Sequence, residues 1–161
     1  SYGGQGYAHG SSWTRGQAWA LYGFVLSYLH TKNPDYLACA KRVANYFLVN
    51  TPDSGLIPVD FRQPADCALE DSTASAIAAC GLLEIAGCVE GREQKLYHDA
   101  AVTLLYTLDL KRCDWDVSRD SIVQKCTGAF HDEKHEFPII YGDYFFVEAV
   151  WKLTGHEIFI W

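Results

Sequence analysis

The chain has 161 residues, of which 49% are hydrophobic, and it carries a formal net charge of -7. This length and apolar content suffice for one domain with a sizeable core, and they exclude an intrinsically disordered chain. The acidic balance lacks the basic surface that phosphate binding requires, so we expect neither nucleic acid nor a membrane surface as a partner. No apolar run reaches the roughly 20 residues needed to cross a bilayer.

Five helices are predicted from the spacing of apolar residues and from the turn signals between them. Ser12 is the expected N-cap of the first, and Asn33 and Pro34 are the expected N-cap and first residue of the second. The predicted helices run from Ser12 to about His30, from Pro34 to about Leu48, from Asp71 or Ser72 to Ile85, from about Arg92 to Lys111 and from about Tyr141 to Leu153. Gly81, in the Ala-rich third helix, permits close approach of a neighbouring helix. No convincing run of strands interrupts this succession, so the sequence predicts an all-α fold.

Two connecting stretches lack helical periodicity. Residues 51–65 contain three prolines, which exclude a long helix there. Within them the piece 59–61 is predicted to be extended, and Asp60 is interpreted as a solvated turn or cap residue in preference to an acid catalyst. Residues 113–138 are expected to contain short extended pieces around 122–123 and 128–131, which suggests a hairpin.

The cysteines and the first residue bear on processing and location. The chain contains no methionine, including at position 1, so we expect it to be a processed, trimmed or internal segment. Six cysteines could form three disulfides in an oxidising compartment, which favours an extracellular location over the cytoplasm. Cys113 and Cys126 flank a loop and are the best candidate pair, whereas Cys39 and Cys80 lie in apolar helical patterns typical of buried thiols. No pair has Cys-x-x-Cys spacing, so we expect no zinc site and no other metal.

The start of the first helix carries the candidate binding residues. Arg15 and Trp19 are four residues apart, so they lie on one face of a helix, and Trp13 precedes them. An arginine fork pairs with a carboxylate in bidentate fashion, and an indole offers a flat apolar surface to a sugar ring. This combination suits an acidic sugar. Two other interpretations stay open, namely that Trp19 is an ordinary core residue and that Arg15 is a structural ion-pair partner.

Three segments of the chain carry a resemblance to a known family. They are Trp13-Thr14-Arg15-Gly16-Gln17-Ala18-Trp19 with Tyr22-Gly23-Phe24, the run that begins Glu70-Asp71-Ser72-Thr73-Ala74, and the run that begins Tyr141-Gly142-Asp143-Tyr144-Phe145. In this order and spacing they resemble the unsaturated glucuronyl hydrolases, glycoside hydrolase family 88. The resemblance spans nearly all of this chain but covers only the C-terminal half of the family. The related unsaturated rhamnogalacturonyl hydrolases usually have Arg-Gly-Asn-Gly-Trp at the positions of 15–19, so the glucuronyl branch is preferred.

The resemblance implies a fold and an activity. Residues 1–161 would form a single segment, the C-terminal half of an (α/α)6 barrel, with the missing N-terminal half of the same protein as its partner. Family members hydrate the C4=C5 double bond of an unsaturated uronic acid in oligosaccharides released by polysaccharide lyases. Their catalytic aspartates lie in the N-terminal half, so the sequence assigns no catalytic residue to this chain. The alternative is a non-catalytic helical protein, either a sugar-binding module or an α-repeat scaffold.

The resemblance also assigns six residues to binding of the uronate, and it implies no cofactor. These residues are Gln5, Trp13, Arg15, Trp19, Phe130 and His131. Phe130 stands where the family has a tyrosine, so a hydrogen bond from a phenol is missing at that position. Members that prefer sulfated substrates carry serines and a lysine just after this loop. Here residues 132–136 read Asp-Glu-Lys-His-Glu, which argues against a preference for a sulfated neighbouring sugar.

Overall fold

The computed structural model of the chain describes residues 4–156. Its helices are α1 Thr14–Thr31, α2 Pro34–Asn50, α3 Ser72–Cys88, α4 Gly91–Lys111 and α5 Ile140–Leu153. Extended structure within this range is limited to four isolated antiparallel bridges, so the prediction of an all-α fold is confirmed. None of the described helices is both long and apolar enough to cross a membrane.

The helices form two layers. In one layer α1 and α5 pack on either side of α3, and in the other α2 packs on α1 while α4 packs on α3. Because α3 is covered from several directions, every residue from Ser72 to Leu82 is buried. Its composition fits this position, since small alanine side chains let the neighbouring helices come close. The expected close approach at Gly81 is confirmed, because a Cβ atom there would meet α1.

The helix ends follow the predicted caps in one case and depart from them in another. Asn33 caps α2 as predicted, since its Oδ1 atom accepts a hydrogen bond of 3.0 Å from the backbone N–H of Asp35. Ser12 is not the cap of α1. Trp13 occupies that position without a side-chain hydrogen bond, and the Ser12 hydroxyl lies 2.6 Å from the hydroxyl of Tyr46 on α2. The Ser12 side chain therefore joins two helices and leaves the end of α1 uncapped by a side chain.

The predicted hairpin at 122–131 is wrong. Val123 pairs with Cys113, and Cys126 pairs with Phe137, so the extended residues belong to two separate bridges. Residues 128–131 turn, because Asp132 accepts a 3.0 Å hydrogen bond from the backbone N–H of Ala129 and closes the loop on itself. An aspartate that bonds to nearby backbone in this way favours a turn over a strand.

The proposed Cys113–Cys126 disulfide is also wrong, since all six cysteines are free thiols. Cys113 and Cys126 lie in different bridges, and the Cys126 thiol is buried against Gly142 at the start of α5. Burial raises the pKa of Cys113 to about 12 and that of Cys126 to about 11. Both thiols are therefore protonated at neutral pH, which lowers their reactivity.

Candidate functional site

The N-terminal ends of α1, α3 and α5 lie together at one end of their layer, next to the loops 51–71 and 112–139. Arg15 in the first turn of α1 contacts Asp71, which caps α3. In the first turn of α5, Asp143 accepts hydrogen bonds from the backbone N–H groups of Ile122 (3.0 Å) and Val123 (2.7 Å). The loop 112–139 is thereby tied to this end of the molecule. Helix N-termini carry partial positive charge, which favours the carboxylates of Asp71 and Asp143 at these positions.

Arg15 lies at the centre of this end, and its guanidinium is used in an internal ion pair. The residue is 4% exposed, and its Nε atom donates to Asp71 Oδ2 over 3.0 Å. Its Nη2 atom donates to the carbonyl oxygens of Thr127 and Gly128, the second at 2.6 Å. The guanidinium carbon also lies 5.2 Å from the centre of the Trp13 ring, within the range of a cation–π interaction. Arg15 therefore forms a structural ion pair, with Asp71, which is one of the interpretations that the sequence left open.

Asp71 is the member of this site that sequence reasoning missed as a partner of Arg15. Its carboxylate is fully buried and also accepts hydrogen bonds from the backbone N–H groups of Thr73 (3.2 Å) and Thr127 (3.3 Å). Burial raises the pKa of Asp71, while the Arg15 charge acts in the opposite direction. The helix pattern indicated a cap at this position. Its contact with a residue 56 positions away has no local signature in the sequence.

Gln5, Phe130 and His131 come together beside the Arg15 contacts. The backbone N–H of Phe130 donates to the carbonyl oxygen of Gln5 over 2.9 Å, and the Gln5 side chain is exposed. The Phe130 ring meets Tyr7 edge to face at 5.0 Å, and His131 Nε2 lies 2.7 Å from the Tyr7 carbonyl oxygen. Tyr7 is thus a further member of the cluster, and the sequence analysis did not assign it to the site.

The two tryptophans take different positions. Trp13 stacks under Arg15 with its ring against Gly16, and its indole Nε1 is buried without a hydrogen-bond partner among residues 4–156. Trp19 turns toward α5, where its ring packs edge to face on Phe145 at 5.1 Å and on Tyr141 at 6.1 Å. It is half-buried and lines an apolar groove of about 440 Å³ between α1 and α5. Trp19 therefore packs against other aromatic residues, as one of the two interpretations expected, although part of the residue stays accessible.

Asp60 differs from the solvated turn residue that the sequence predicted. It is fully buried, and its carboxylate accepts four hydrogen bonds, from Tyr7 N (3.0 Å), Ser11 Oγ (2.6 Å), Ser12 N (2.9 Å) and Arg62 N (2.9 Å). Asp60 and Asp71 are thus both engaged in holding backbone and side chains in place. The more accessible groups around the Arg15–Asp71 pair are the exposed Gln5 side chain and the half-buried residues Trp13 and Phe130.

Comparisons with known proteins identify relatives of this chain in sequence and in fold. No family model matches the chain. The chain is 38% identical over 156 residues to an unsaturated glucuronyl hydrolase of Bacillus sp. (strain GL1), covering 92% of this chain and 41% of that protein. The crystal structure of the unsaturated glucuronyl hydrolase from Bacillus sp. GL1 matches with a TM-score of 0.87 and 36% identity, over 93% of this chain and 41% of that chain. A mutant unsaturated glucuronyl hydrolase from Streptococcus agalactiae, complexed with dGlcA-GalNAc6S, matches with a TM-score of 0.88 and 28% identity, over 96% and 43% of the two chains.

These matches extend over nearly the whole chain and include both sequence and fold. The alternating helix layers correspond to part of the (α/α)6 toroid of those structures. The chain spans about two fifths of the length of the relatives it matches. It is a homologue of the unsaturated glucuronyl hydrolases, glycoside hydrolase family 88.

Proposed function

We propose that this chain is the uronate-binding part of a glycoside hydrolase that acts on unsaturated glucuronyl oligosaccharides. The observation that carries the proposal is the position of Arg15, a buried cation at the N-terminal ends of α1 and α3 in a homologue of such hydrolases. The Streptococcus agalactiae relative complexed with dGlcA-GalNAc6S supports a sugar substrate with a uronate at one end. The chain would form the C-terminal half of the catalytic barrel.

The proposed reaction is hydration of the C4=C5 double bond of the unsaturated uronate. Protonation at C4 and addition of water at C5 give a hemiketal, which opens and releases the adjoining sugar. The step needs a carboxylic acid whose pKa lets it donate and then accept a proton near the working pH. Asp60 and Asp71 are occupied by internal hydrogen bonds, so we assign this acid to the part of the protein outside the chain.

The binding roles follow from the contacts that remain available. Arg15 donates hydrogen bonds to residues within 4–156 through Nε and Nη2, so we assign Nη1 to the uronate carboxylate. The exposed Gln5 amide can bond sugar hydroxyls as donor and as acceptor. Phe130 and His131 form one wall of the site with Trp13 on the Arg15 side, and Trp19 lies one helical turn further along α1.

We further propose a preference for unsulfated substrates. The segment 132–136 follows the Phe130 loop and carries three carboxylates against one lysine. Its Glu133 is exposed, and repulsion between this carboxylate and a sulfate group disfavours binding of a sulfated neighbouring sugar. We expect kcat/KM for an unsulfated unsaturated disaccharide to exceed that for its sulfated counterpart.

The remaining part of the barrel is the proposed partner of this chain within the same protein. An apolar groove of about 550 Å³ runs between α4 and α5 and includes Trp115 and Trp151, which are 59% and 52% exposed. Exposed apolar surface of this kind marks a contact face. The relatives are more than twice as long as this chain, which supports a further helical segment as the covering element.

The test uses the full-length protein with an unsaturated glucuronyl disaccharide, followed by the loss of the ultraviolet absorbance of its double bond. We expect turnover by the wild type, loss of turnover in Arg15→Ala, and wild-type turnover in Arg42→Ala, which removes an exposed arginine from α2. Circular dichroism checks that each variant is folded. A wild type that leaves the absorbance unchanged but still binds saccharide would be a non-catalytic module, and activity that survives Arg15→Ala would refute the assigned role of Arg15.

A further inference from the structure

Arg15, Asp71 and Thr127 form a closed ring of hydrogen bonds. Arg15 Nε donates to Asp71 Oδ2 over 3.0 Å, the backbone N–H of Thr127 donates to Asp71 Oδ1 over 3.3 Å, and the Thr127 carbonyl oxygen accepts from Arg15 Nη2. All three residues are buried. In such a ring each contact limits the movement of the other two, so the guanidinium has one defined orientation.

The Asp71 carboxylate connects this ring to the rest of the site. Its Oδ1 atom also accepts the 3.2 Å hydrogen bond from the backbone N–H of Thr73, which fixes the carboxylate to the start of α3. On the other side, Thr127 leads into the turn that contains Phe130, whose backbone N–H bonds to the Gln5 carbonyl oxygen. One carboxylate thus links the α3 terminus, the guanidinium and the loop that carries the aromatic wall.

We propose that Asp71 is a positioning residue for substrate binding, which holds Arg15 and the 127–131 loop so that Arg15 Nη1 meets the uronate carboxylate. This inference rests on the proposed function. A free arginine side chain loses conformational entropy when it is fixed in one orientation. Because the ring fixes the Arg15 side chain before the substrate arrives, this entropy is lost on folding and does not weaken substrate binding.

The variant Asp71→Asn separates the effect of Arg15 orientation from the effect of charge. The Asp71 carboxylate neutralises Arg15, so an electrostatic argument alone predicts that Asp71→Asn strengthens binding of an anionic sugar. The positioning argument predicts the opposite, because asparagine has only one acceptor oxygen. If that oxygen keeps the hydrogen bonds from the backbone N–H groups of Thr73 and Thr127, the amide NH2 group faces Arg15 Nε, which is itself a donor. The direction of the change in KM therefore distinguishes the two.

The experiment measures kcat and KM of the full-length protein for an unsaturated glucuronyl disaccharide and for its uronate methyl ester, well below the melting temperature. For Asp71→Asn we expect KM for the acid to rise about tenfold or more with a smaller change in kcat, as for loss of one charged hydrogen bond. The preference of the wild type for the acid over the ester should shrink by a similar factor. A role confined to stability would lower the melting temperature and leave both KM and this preference unchanged.

Matched variants complete the test. Glu84→Gln removes another paired carboxylate from α3, about 20 Å further along the helix, and should keep the wild-type KM and the preference for the acid. Asp71→Glu keeps the charge but lengthens the side chain by one methylene group, so it should also raise KM for the acid and reduce the preference for the acid over the ester. This variant tests the proposal even if Asp71→Asn fails to fold. An unchanged or lower KM in either Asp71 variant would overturn the proposal. A wild type that neither binds nor turns over the acid would instead overturn the proposed function, and this inference with it.

Discussion

Gly81 in α3 lies so close to Tyr22 in α1 that a Cβ atom at position 81 would be 3.0 Å from the Tyr22 Cα atom. The same atom would be 2.2 Å from Leu21 Cδ1. Because backbone cannot move as easily as a side-chain end, Gly81→Ala should lower the free energy of unfolding by about 1–3 kcal/mol. Urea unfolding followed by circular dichroism measures this change.

Gly23→Ala is the matched control for that prediction. Gly23 is exposed in the middle of α1, and a Cβ atom there would meet no other described residue within 4 Å. Replacing a helical glycine by alanine in open space should stabilise the protein by about 0.5–1 kcal/mol. Equal effects of the two substitutions would contradict the close packing of α1 on α3.

The Asp60 carboxylate should hold in place the segment that precedes α1. Asp60→Ala leaves four donors without their acceptor, and three of them are backbone N–H groups, including those of Tyr7 and Ser12 before α1. We therefore expect a loss of at least about 2 kcal/mol of stability. Amide hydrogen exchange at these two positions should accelerate. Asp116→Ala removes an exposed carboxylate that accepts a hydrogen bond from the backbone N–H of Ser118, and it should have little effect on stability. Slow exchange at Tyr7 and Ser12 in Asp60→Ala would argue against this role.

The buried Tyr22 phenol should make stability depend on alkaline pH. Burial raises the pKa of Tyr22, and its hydrogen bond to the 2% exposed Glu148 adds to this effect. The folded protein therefore keeps a proton that the unfolded chain releases above about pH 10, and stability falls as the pH rises beyond that value. The free energy of unfolding, measured at two or more pH values above 10, should fall with pH less steeply for Tyr22→Phe than for the wild type. The two slopes should differ by up to about 1.4 kcal/mol per pH unit.

Tyr106→Phe provides the comparison for this pH profile, because the Tyr106 ring is 63% exposed. We expect this variant to keep the alkaline slope of the wild type. If Tyr22→Phe kept that slope as well, the loss of stability at high pH would have to come from other groups.

The six thiols should be free and unequal in reactivity. Unfolding without reductant followed by alkylation should add six labels, and reduction should not change the intact mass. In the folded protein Cys80 and Cys126 should react slowest, because both are buried and burial raises the pKa of each thiol. Fewer than six labels after unfolding would indicate a disulfide and reopen the pairing of Cys113 with Cys126.

The helices of this protein were determined largely by local sequence. Apolar periodicity, the Asn33 cap with Pro34, and the small residues around Gly81 are read over a few neighbouring positions, and each corresponds to an observed feature of α2 or α3. Local signals are sufficient here because helix hydrogen bonds and caps join residues only two to four positions apart. The resemblance also placed Gln5, Arg15 and Phe130 in one site, and the fold brings their segments together.

Tertiary structure alone decided what the polar groups of the site do. The Arg15–Asp71 pair joins residues 56 positions apart, and the Asp60 carboxylate accepts from residues 48 to 53 positions before it. The same residue types on an exposed loop would be solvated, as the sequence predicted for Asp60. The failed hairpin and the failed disulfide have the same origin, since Cys113 and Cys126 pair with different segments. Such contacts depend on which distant segments meet when the helices pack, and no local pattern of residues encodes them.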